Sequence, residues 1–397
     1  MRGTLAIENA MLVLPHGVQR GSLLVEGGTI AALSPETSGA FSADAVYDAG
    51  GRYVSPGFID LHVHGGGGHD FMDGTVEAFA GAARTHLAHG TTTLLPTTVA
   101  CADEELQRAF ETLRAARRAG GPLPDMPGLH LEGPYLSPLQ AGAIDPKYLK
   151  TPDAAEACRL LDMGGDDIAR VTLACELPGA LELCDRLAQR GVVLSIGHSD
   201  AEYEQVCEAV LHGCSHVTHL YSAMSTLRRR GAYRHLGLVE CAYLFDALTV
   251  EVIADGKHLP PELLRLIVRQ KGVDSISLIT DAMRGADLPD GTVARLGSLE
   301  LGQDAVVRDG VAFAMDGSCF AGSVCTADRC VRTMWRQVGV PLHDAVRMMT
   351  QNPARVLGLS RRKGALAAGL DADLCVFDDG VRIANVFLRG ERVERGA

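Results

Sequence analysis

The chain has 397 residues, 47% of them hydrophobic, which is long enough for a large α/β domain and a smaller second one. Its formal net charge of −12 argues against general affinity for nucleic acids, because that affinity depends on clustered Lys and Arg. No apolar run approaches the ~20 residues of a membrane span, and we expect no secretion signal at the N-terminus. The 11 cysteines are scattered and odd in number, which is typical of free thiols in a reducing compartment. We therefore expect a cytoplasmic protein that binds neither nucleic acid nor membranes.

Residues 1–54 contain several short runs with β propensity, separated by turns such as Gly27-Gly28. Similar runs return near the C-terminus, on both sides of the turn-forming segment Asp378-Asp379-Gly380. We predict that residues 1–54 and 358–397 pair into one small β-sandwich, beside a central domain of residues 55–357.

The central region alternates strand and helix patterns. Eight strands are predicted at Phe58 to His64, Thr92 to Pro96, Gly128 to Glu132, Arg170 to Glu176, Val192 to His198, His216 to Tyr221, Val250 to Asp255 and Ser275 to Thr280. Helices are predicted between most of them, at Val76 to His89, Asp103 to Ala119, Ala180 to Gln189, Ala201 to Leu211 and Pro261 to Lys271. Eight such units close most economically into a (β/α)₈ TIM barrel, whose catalytic residues lie at the carboxyl ends of the strands.

Polar residues gather at six of the eight predicted strand ends. In the first strand, the period of two places Asp60, His62 and His64 on one face. Imidazole is the commonest protein ligand of zinc, iron and related divalent metals. The other five strand ends supply Glu132, His198, His219, Asp255 with His258 just beyond, and Asp281. One such residue is commonly structural, whereas six converging strand ends indicate a catalytic or metal-binding site.

Two further histidines near these strand ends are predicted to be structural. His130 has the parity of Glu132 but lies one layer deeper, which favours a hydrogen-bonded core residue. His216 opens its strand with the opposite parity to His219, which disfavours it as a ligand.

The motifs in chain order are His62-Val63-His64, His130-Leu131-Glu132-Gly133-Pro134, Gly197-His198-Ser199, Thr218-His219-Leu220-Tyr221, Ala254-Asp255-Gly256-Lys257-His258 and Thr280-Asp281-Ala282. This order resembles the N-acetylglucosamine-6-phosphate deacetylases of the amidohydrolase superfamily, nearly from end to end. The resemblance implies two divalent ions per chain, drawn from zinc, iron, manganese and cobalt. It also implies six metal ligands, which are His62, His64, Glu132, His198, His219 and Asp281. Glu132 would bridge the two ions, since none of the five lysines lies at a strand end suitable for a carboxylated-lysine bridge.

The implied reaction is removal of the N-acetyl group from N-acetylglucosamine 6-phosphate by a homodimeric enzyme. Asp281 would accept a proton from the attacking water and return it to the departing amine, while His258 or a metal polarises the amide carbonyl. Substrate contacts are implied at Ala143, Tyr221, Ser222, Ala223, Arg230, His258 and Ala321.

The chain departs from the family pattern where the substrate would bind. Ser222 stands where the family usually has Asn, and Ile144 where it usually has His. The Arg-Glu-Pro-Gly signature of a phosphate-binding arginine is absent, although Arg228-Arg229-Arg230 lies at roughly the same place. An amidohydrolase acting on another N-acetyl hexosamine, an N-acyl amino acid or a cyclic amide remains an alternative. So does a non-enzymatic scaffold, although such relatives lose metal ligands.

Overall fold

The computed structural model describes residues 3–35 and 41–394, and a parallel barrel occupies its centre. The eight barrel strands, hydrogen-bonded in chain order, are Phe58–Val63, Thr91–Thr98, Leu129–Glu132, Ile168–Leu173, Val193–Ile196, Cys214–Val217, Thr249–Ile253 and Ile276–Ile279. The barrel closes between its last and first strands, where Asp281 N donates to His62 O at 2.9 Å and His64 N to Ala282 O at 2.8 Å. The predicted (β/α)₈ fold is confirmed.

The helices pack around this barrel and bury one face each. They are Val76–Ala88, Asp103–Ala119, Ala154–Gly164, Ala180–Ala188, Tyr203–Leu211, Leu238–Leu244, Pro261–Lys271, Ala327–Arg332, Leu342–Met348 and Gln351–Val356. In Asp103–Ala119 the buried residues recur every three or four positions, which places them on one face of the helix. Acidic residues occupy its first turn and arginines its last, where each charge interacts favourably with the helix dipole. Gly120 then ends this helix with a φ of 70°.

Strands from both ends of the chain form one further sheet. Its members are Thr4–Leu14, Gly17–Glu26, Thr29–Pro35, Ala45–Asp48, Tyr53–Pro56, Leu374–Phe377, Ile383–Leu388 and Glu391–Arg392. The two ends meet where Leu374–Phe377 runs antiparallel to Tyr53–Pro56, and side chains of this sheet, among them Leu12, Ile30 and Phe387, form an apolar cluster. The predicted pairing of the termini is therefore confirmed. The domain limits 1–54, 55–357 and 358–397 stay a prediction, and Tyr53–Pro56 crosses the first of them.

Two insertions at the carboxyl end of the barrel were not predicted. A hairpin of Arg228–Arg230 and Tyr233–His235 follows the sixth barrel strand. A three-stranded antiparallel sheet of Val293–Leu296, Gln303–Arg308 and Val311–Ala314 follows the eighth. Within residues 3–35 and 41–394, no helix has both the length and the apolar composition that crossing a membrane requires.

Candidate metal centre and active site

Glu132 lies at the centre of a buried cluster of four histidines at the carboxyl ends of the barrel strands. Its Oε1 is 3.5 Å from Nε2 of His62, 3.1 Å from that of His198 and 3.0 Å from that of His219. Its Oε2 is 3.3 Å from Nε2 of His64. Glu132 therefore belongs to two three-residue groups with metal-ligand geometry, one with His62 and His64 and one with His198 and His219.

Asp281 lies beside the first of these groups. Its Oδ1 lies 3.4 Å from Nε2 of His62 and 3.3 Å from Nε2 of His64. Its main chain is held independently of the side chain, because its carbonyl accepts from Ser323 N at 2.7 Å and its N–H donates to the first barrel strand. Asp281 also has a φ of 48°, in the left-handed region, which costs a non-glycine residue about 1–3 kcal/mol. Strain of this kind is typical of functional positions, where the surrounding structure enforces it.

The donor set fits a divalent metal. Pairs of imidazole Nε2 atoms face each other at 3.2 Å in His62 and His64 and at 3.1 Å in His198 and His219, so a proton or a cation must lie between them. The opposite ring nitrogens face acceptors in three of the four rings. Nδ1 of His198 lies 2.8 Å from the Gln140 carbonyl, and Nδ1 of His64 and His62 lie 3.3 and 3.5 Å from other acceptors. An Nδ1–H held in this way leaves Nε2 free as a ligand.

The electrostatics of the cluster balance burial against mutual attraction. Burial disfavours the imidazolium of His64, but hydrogen bonds to Asp281 and Glu132 outweigh it and raise its pKa to about 9. Burial also disfavours the imidazolium of His62, but the negative charges of Glu132 and Asp281 outweigh it and raise the pKa of His62 well above 6.5. Burial raises the pKa of Glu132 and Asp281, yet the neighbouring histidines hold both below their ordinary values. Metal binding must therefore displace protons from His62 and His64.

The cluster forms the floor of a cavity of about 290 Å³ that is open to solvent. Four of the predicted substrate residues line it, namely Ala143, Ser222, Ala223 and His258. Nδ1 of His258 lies 2.8 Å from Oδ2 of Asp255. Burial raises the pKa of Asp255, but its contacts with His258 outweigh burial and lower that pKa. The Asp255 carboxylate thus orients the His258 ring at the cavity wall.

Comparison with known proteins agrees with this geometry. A family model described as "Amidohydrolase family" matches residues 53–393. The chain belongs to the amidohydrolase family. It is 36% identical over 340 residues to an N-acetylglucosamine-6-phosphate deacetylase from Lysinibacillus sphaericus, covering 84% of this chain and 83% of the relative. It is 31% identical over 369 residues to an N-acetylgalactosamine-6-phosphate deacetylase from Escherichia coli O157:H7, covering 93% of each. A solved structure of a mutant N-acetyl-D-glucosamine-6-phosphate deacetylase from Mycobacterium smegmatis, in complex with N-acetyl-D-glucosamine-6-phosphate, superposes with a TM-score of 0.88 at 36% identity over 98% of each chain.

Three predicted substrate residues of this amidohydrolase lie outside the cavity lining. Arg230 is an exposed residue of the hairpin and forms an ion pair with Glu202 at 2.6 Å. The Tyr221 hydroxyl lies 3.2 Å from the Tyr243 hydroxyl. Ala321 is buried, and its N–H donates to a carbonyl of the three-stranded insertion. Substrate contact at these three positions stays a prediction.

The predicted structural roles of two histidines agree with their contacts. His130 lies between hydroxyls, with Nδ1 3.2 Å from Thr97 Oγ1 and Nε2 2.7 Å from Thr172 Oγ1. His216 is also buried, and its Nδ1 lies 2.5 Å from Thr249 Oγ1. Neither belongs to the two ligand groups.

Sequence reasoning missed several residues of this amidohydrolase site. The Gln140 carbonyl holds His198, Phe320 lines the cavity beside His258, and the buried ion pair of Arg170 and Glu251 lies under the histidines. Glu251 had a usable signal, since it is the one charged residue in Thr249–Ile253, and a charge inside an otherwise apolar strand requires a partner. Its partner Arg170, 81 positions earlier, is likewise the one charged residue of Ile168–Leu173, but no local feature of either strand indicates that the two side chains pair.

Proposed function

We propose that this amidohydrolase removes the N-acetyl group of N-acetylglucosamine 6-phosphate, giving glucosamine 6-phosphate and acetate in amino-sugar catabolism. One observation carries the proposal. Two metal-ligand groups share Glu132 at the floor of a cavity that Asp281 and His258 also line. The names of the similar deacetylases support the choice of substrate.

Amidohydrolases generally use a divalent metal, and we propose two ions here, drawn from zinc, iron, manganese and cobalt. Glu132, His198 and His219 would hold one, while His62, His64 and Asp281 would hold the other, with Glu132 shared. A bound ion of this kind lowers the pKa of water toward ~7 and so supplies hydroxide at neutral pH. The protein contributes the fixed ring orientations, and the donor residues of both groups are buried.

Asp281 is the proton carrier in this proposal. Its pKa is held below the ordinary value by His62 and His64, against the effect of burial, so it is a carboxylate at neutral pH. It therefore accepts the proton of the attacking water and returns it to the leaving amine. His258, oriented by Asp255, stabilises the charge that develops on the acetyl oxygen.

The phosphate is assigned to the hairpin, and Arg230 is the proposed anchor. Arg230 is bound to Glu202 through both its terminal nitrogens, with Nη1 donating to Oε2 at 3.0 Å. A phosphate would have to displace this carboxylate, and its higher charge and three acceptor oxygens favour the exchange. The sugar would lie against Ala143, Ser222 and Ala223 on the cavity wall.

A second candidate substrate is another N-acetyl hexosamine phosphate. Ile144 and Ser222, which depart from the family pattern, both line the cavity, so the wall differs where the sugar would rest. The similarity to an N-acetylgalactosamine-6-phosphate deacetylase favours the same class. An N-acyl amino acid has less support, and a non-enzymatic scaffold less still, because the chain retains both ligand groups.

The test is a hydrolysis screen of metal-depleted protein supplied with zinc, iron, manganese or cobalt. The substrates are N-acetylglucosamine and N-acetylgalactosamine, each with and without the 6-phosphate, and an N-acetyl amino acid. We expect metal-dependent acetate release that is fastest with N-acetylglucosamine 6-phosphate. Release from the amino acid alone would contradict the substrate, and no release with any metal would contradict the activity.

We further propose that the enzyme is a cytoplasmic homodimer. All 11 cysteines are free thiols, and most of them are buried, which favours a reducing compartment. Sedimentation measurements at several protein concentrations test the dimer.

A further inference from the structure

A buried ion pair lies directly beneath the proposed metal centre. Glu251 belongs to the barrel strand Thr249–Ile253 and Arg170 to Ile168–Leu173, and both side chains are fully buried. Oε1 of Glu251 accepts from Nη1 of Arg170. Its other oxygen, Oε2, faces Nδ1 of His62 at 3.5 Å and accepts from the main-chain N–H of His219 at 3.3 Å. One carboxylate thus contacts a residue of each ligand group.

Arg170 extends the same connection to the neighbouring strands. Its Nε donates to Ser195 Oγ at 2.8 Å, Nη2 to Thr218 Oγ1 at 2.9 Å and Nη1 to the Leu61 carbonyl at 3.3 Å. Leu61 immediately precedes the ligand His62, and Thr218 immediately precedes the ligand His219. The guanidinium therefore holds the main chain just before His62 and the side chain just before His219.

Stability alone does not account for this pair. Removing two charges from water costs several kcal/mol per ion, and well-packed apolar residues in place of a buried pair are often neutral or stabilising. A barrel interior of Leu or Met would fill the same space. The arrangement of the donors gives a better reason, because the contacts of the pair lead to the two ligand groups.

Metal-binding histidines depend on the contact made by their second ring nitrogen. An acceptor at Nδ1 selects the tautomer with its proton there, fixes the ring plane and leaves Nε2 for the metal. For His62 that acceptor is Glu251, which Arg170 prevents from rotating away.

We propose that Glu251, held by Arg170, is a positioning residue of the metal centre, which orients the His62 ring and the main chain at His219. The inference rests on the proposed metal-dependent function and assigns neither residue a direct part in the chemistry. Loss of such an outer contact typically lowers metal affinity or activity by about 10- to 100-fold.

The first variant is Glu251→Gln, which keeps the size of the side chain and removes its charge. We expect affinity for zinc, measured by competition with a fluorescent chelator at fixed pH, to fall by about 10- to 100-fold. The absorption spectrum of the cobalt-loaded protein should also change, because the orientation of His62 sets the ligand field. KM measured at saturating metal should stay close to that of the parent, since Glu251 does not line the cavity.

Asp73→Asn is the matched control. Asp73 forms a buried two-contact ion pair with Arg284, at 2.7 and 2.6 Å, and belongs to neither ligand group. Both variants should lower the melting temperature, whereas only Glu251→Gln should lower zinc affinity. Equal zinc affinity in Glu251→Gln and the parent, with a lowered melting temperature, would overturn the inference and leave a purely structural pair.

A double variant covers the case in which Glu251→Gln does not fold. Arg170→Gln combined with Glu251→Gln removes both charges, so no unpaired buried charge is left to unfold the protein. Reduced zinc affinity in the folded double variant supports the inference, and parental affinity overturns it. The proposed function fails separately, namely if the parent itself neither binds zinc nor releases acetate.

Discussion

Asp281→Asn offers the sharpest test of the proposed chemistry. The change keeps the size of the side chain, and the two main-chain hydrogen bonds that hold Asp281 involve its backbone only, so the fold should be retained. Asparagine also tolerates the left-handed φ of 48° at this position. What it cannot do is accept a proton from water and return it to an amine.

The expected loss follows from that single missing step. General acid–base catalysis typically contributes about 10²–10⁴-fold, which corresponds to about 2.7–5.4 kcal/mol of the barrier. The loss should appear in kcat, while KM changes little. Some metal can also be lost, because Oδ1 of Asp281 lies 3.3 Å from the Nε2 of His64.

The assay therefore measures acetate release and metal content on the same samples. Asp287→Asn is the control, since its exposed side chain carries the same charge six positions away and lies outside the cavity lining. Turnover near that of the parent at full metal content would refute the role of Asp281. A loss of activity that merely follows the loss of metal would make Asp281 a ligand and not the proton carrier.

Three further predictions concern the metals, the phosphate and pH. Glu132→Ala should deplete both metals and His62→Ala with His64→Ala only one, so unchanged metal content in the double variant would contradict two separate sites. Arg230→Ala should lower kcat/KM about 10- to 150-fold with the phosphorylated substrate and leave kcat/KM for the unphosphorylated sugar unchanged. Arg229→Ala is the control. An equal loss with the unphosphorylated sugar would contradict the role of Arg230 as phosphate anchor. In metal-free protein the pKa of His64 is raised to about 9, so its contribution to stability is full below about pH 6.5 and is lost as pH rises through 9. The melting temperature should fall across that range, and less so in His64→Gln; equal falls in parent and variant would contradict this.

The sequence alone was sufficient for the barrel and for the convergence of histidines and carboxylates at its carboxyl end. Strand and helix periods are local properties, which is why two predicted helices, Asp103–Ala119 and Pro261–Lys271, match the structure at both ends. The meeting of the polar residues follows from the same logic, because the carboxyl ends of parallel barrel strands must lie at one face, whereas their role as metal ligands was predicted from the resemblance. The shared position of Glu132 was predicted from the resemblance, and the geometry agrees with it.

Only the tertiary structure decided what surrounds those residues. The pairing of Glu251 with Arg170 joins positions 81 apart, and the Gln140 carbonyl meets His198 across 58 positions. Such contacts depend on the closed barrel and on loop paths, which no local period encodes. The three-stranded insertion that brings Leu296 to the cavity wall is another example, because its short strands form a sheet separate from that of the barrel. The order of side chains along the strands thus determined which atoms reach the site, whereas long-range packing determined how the ligands are held.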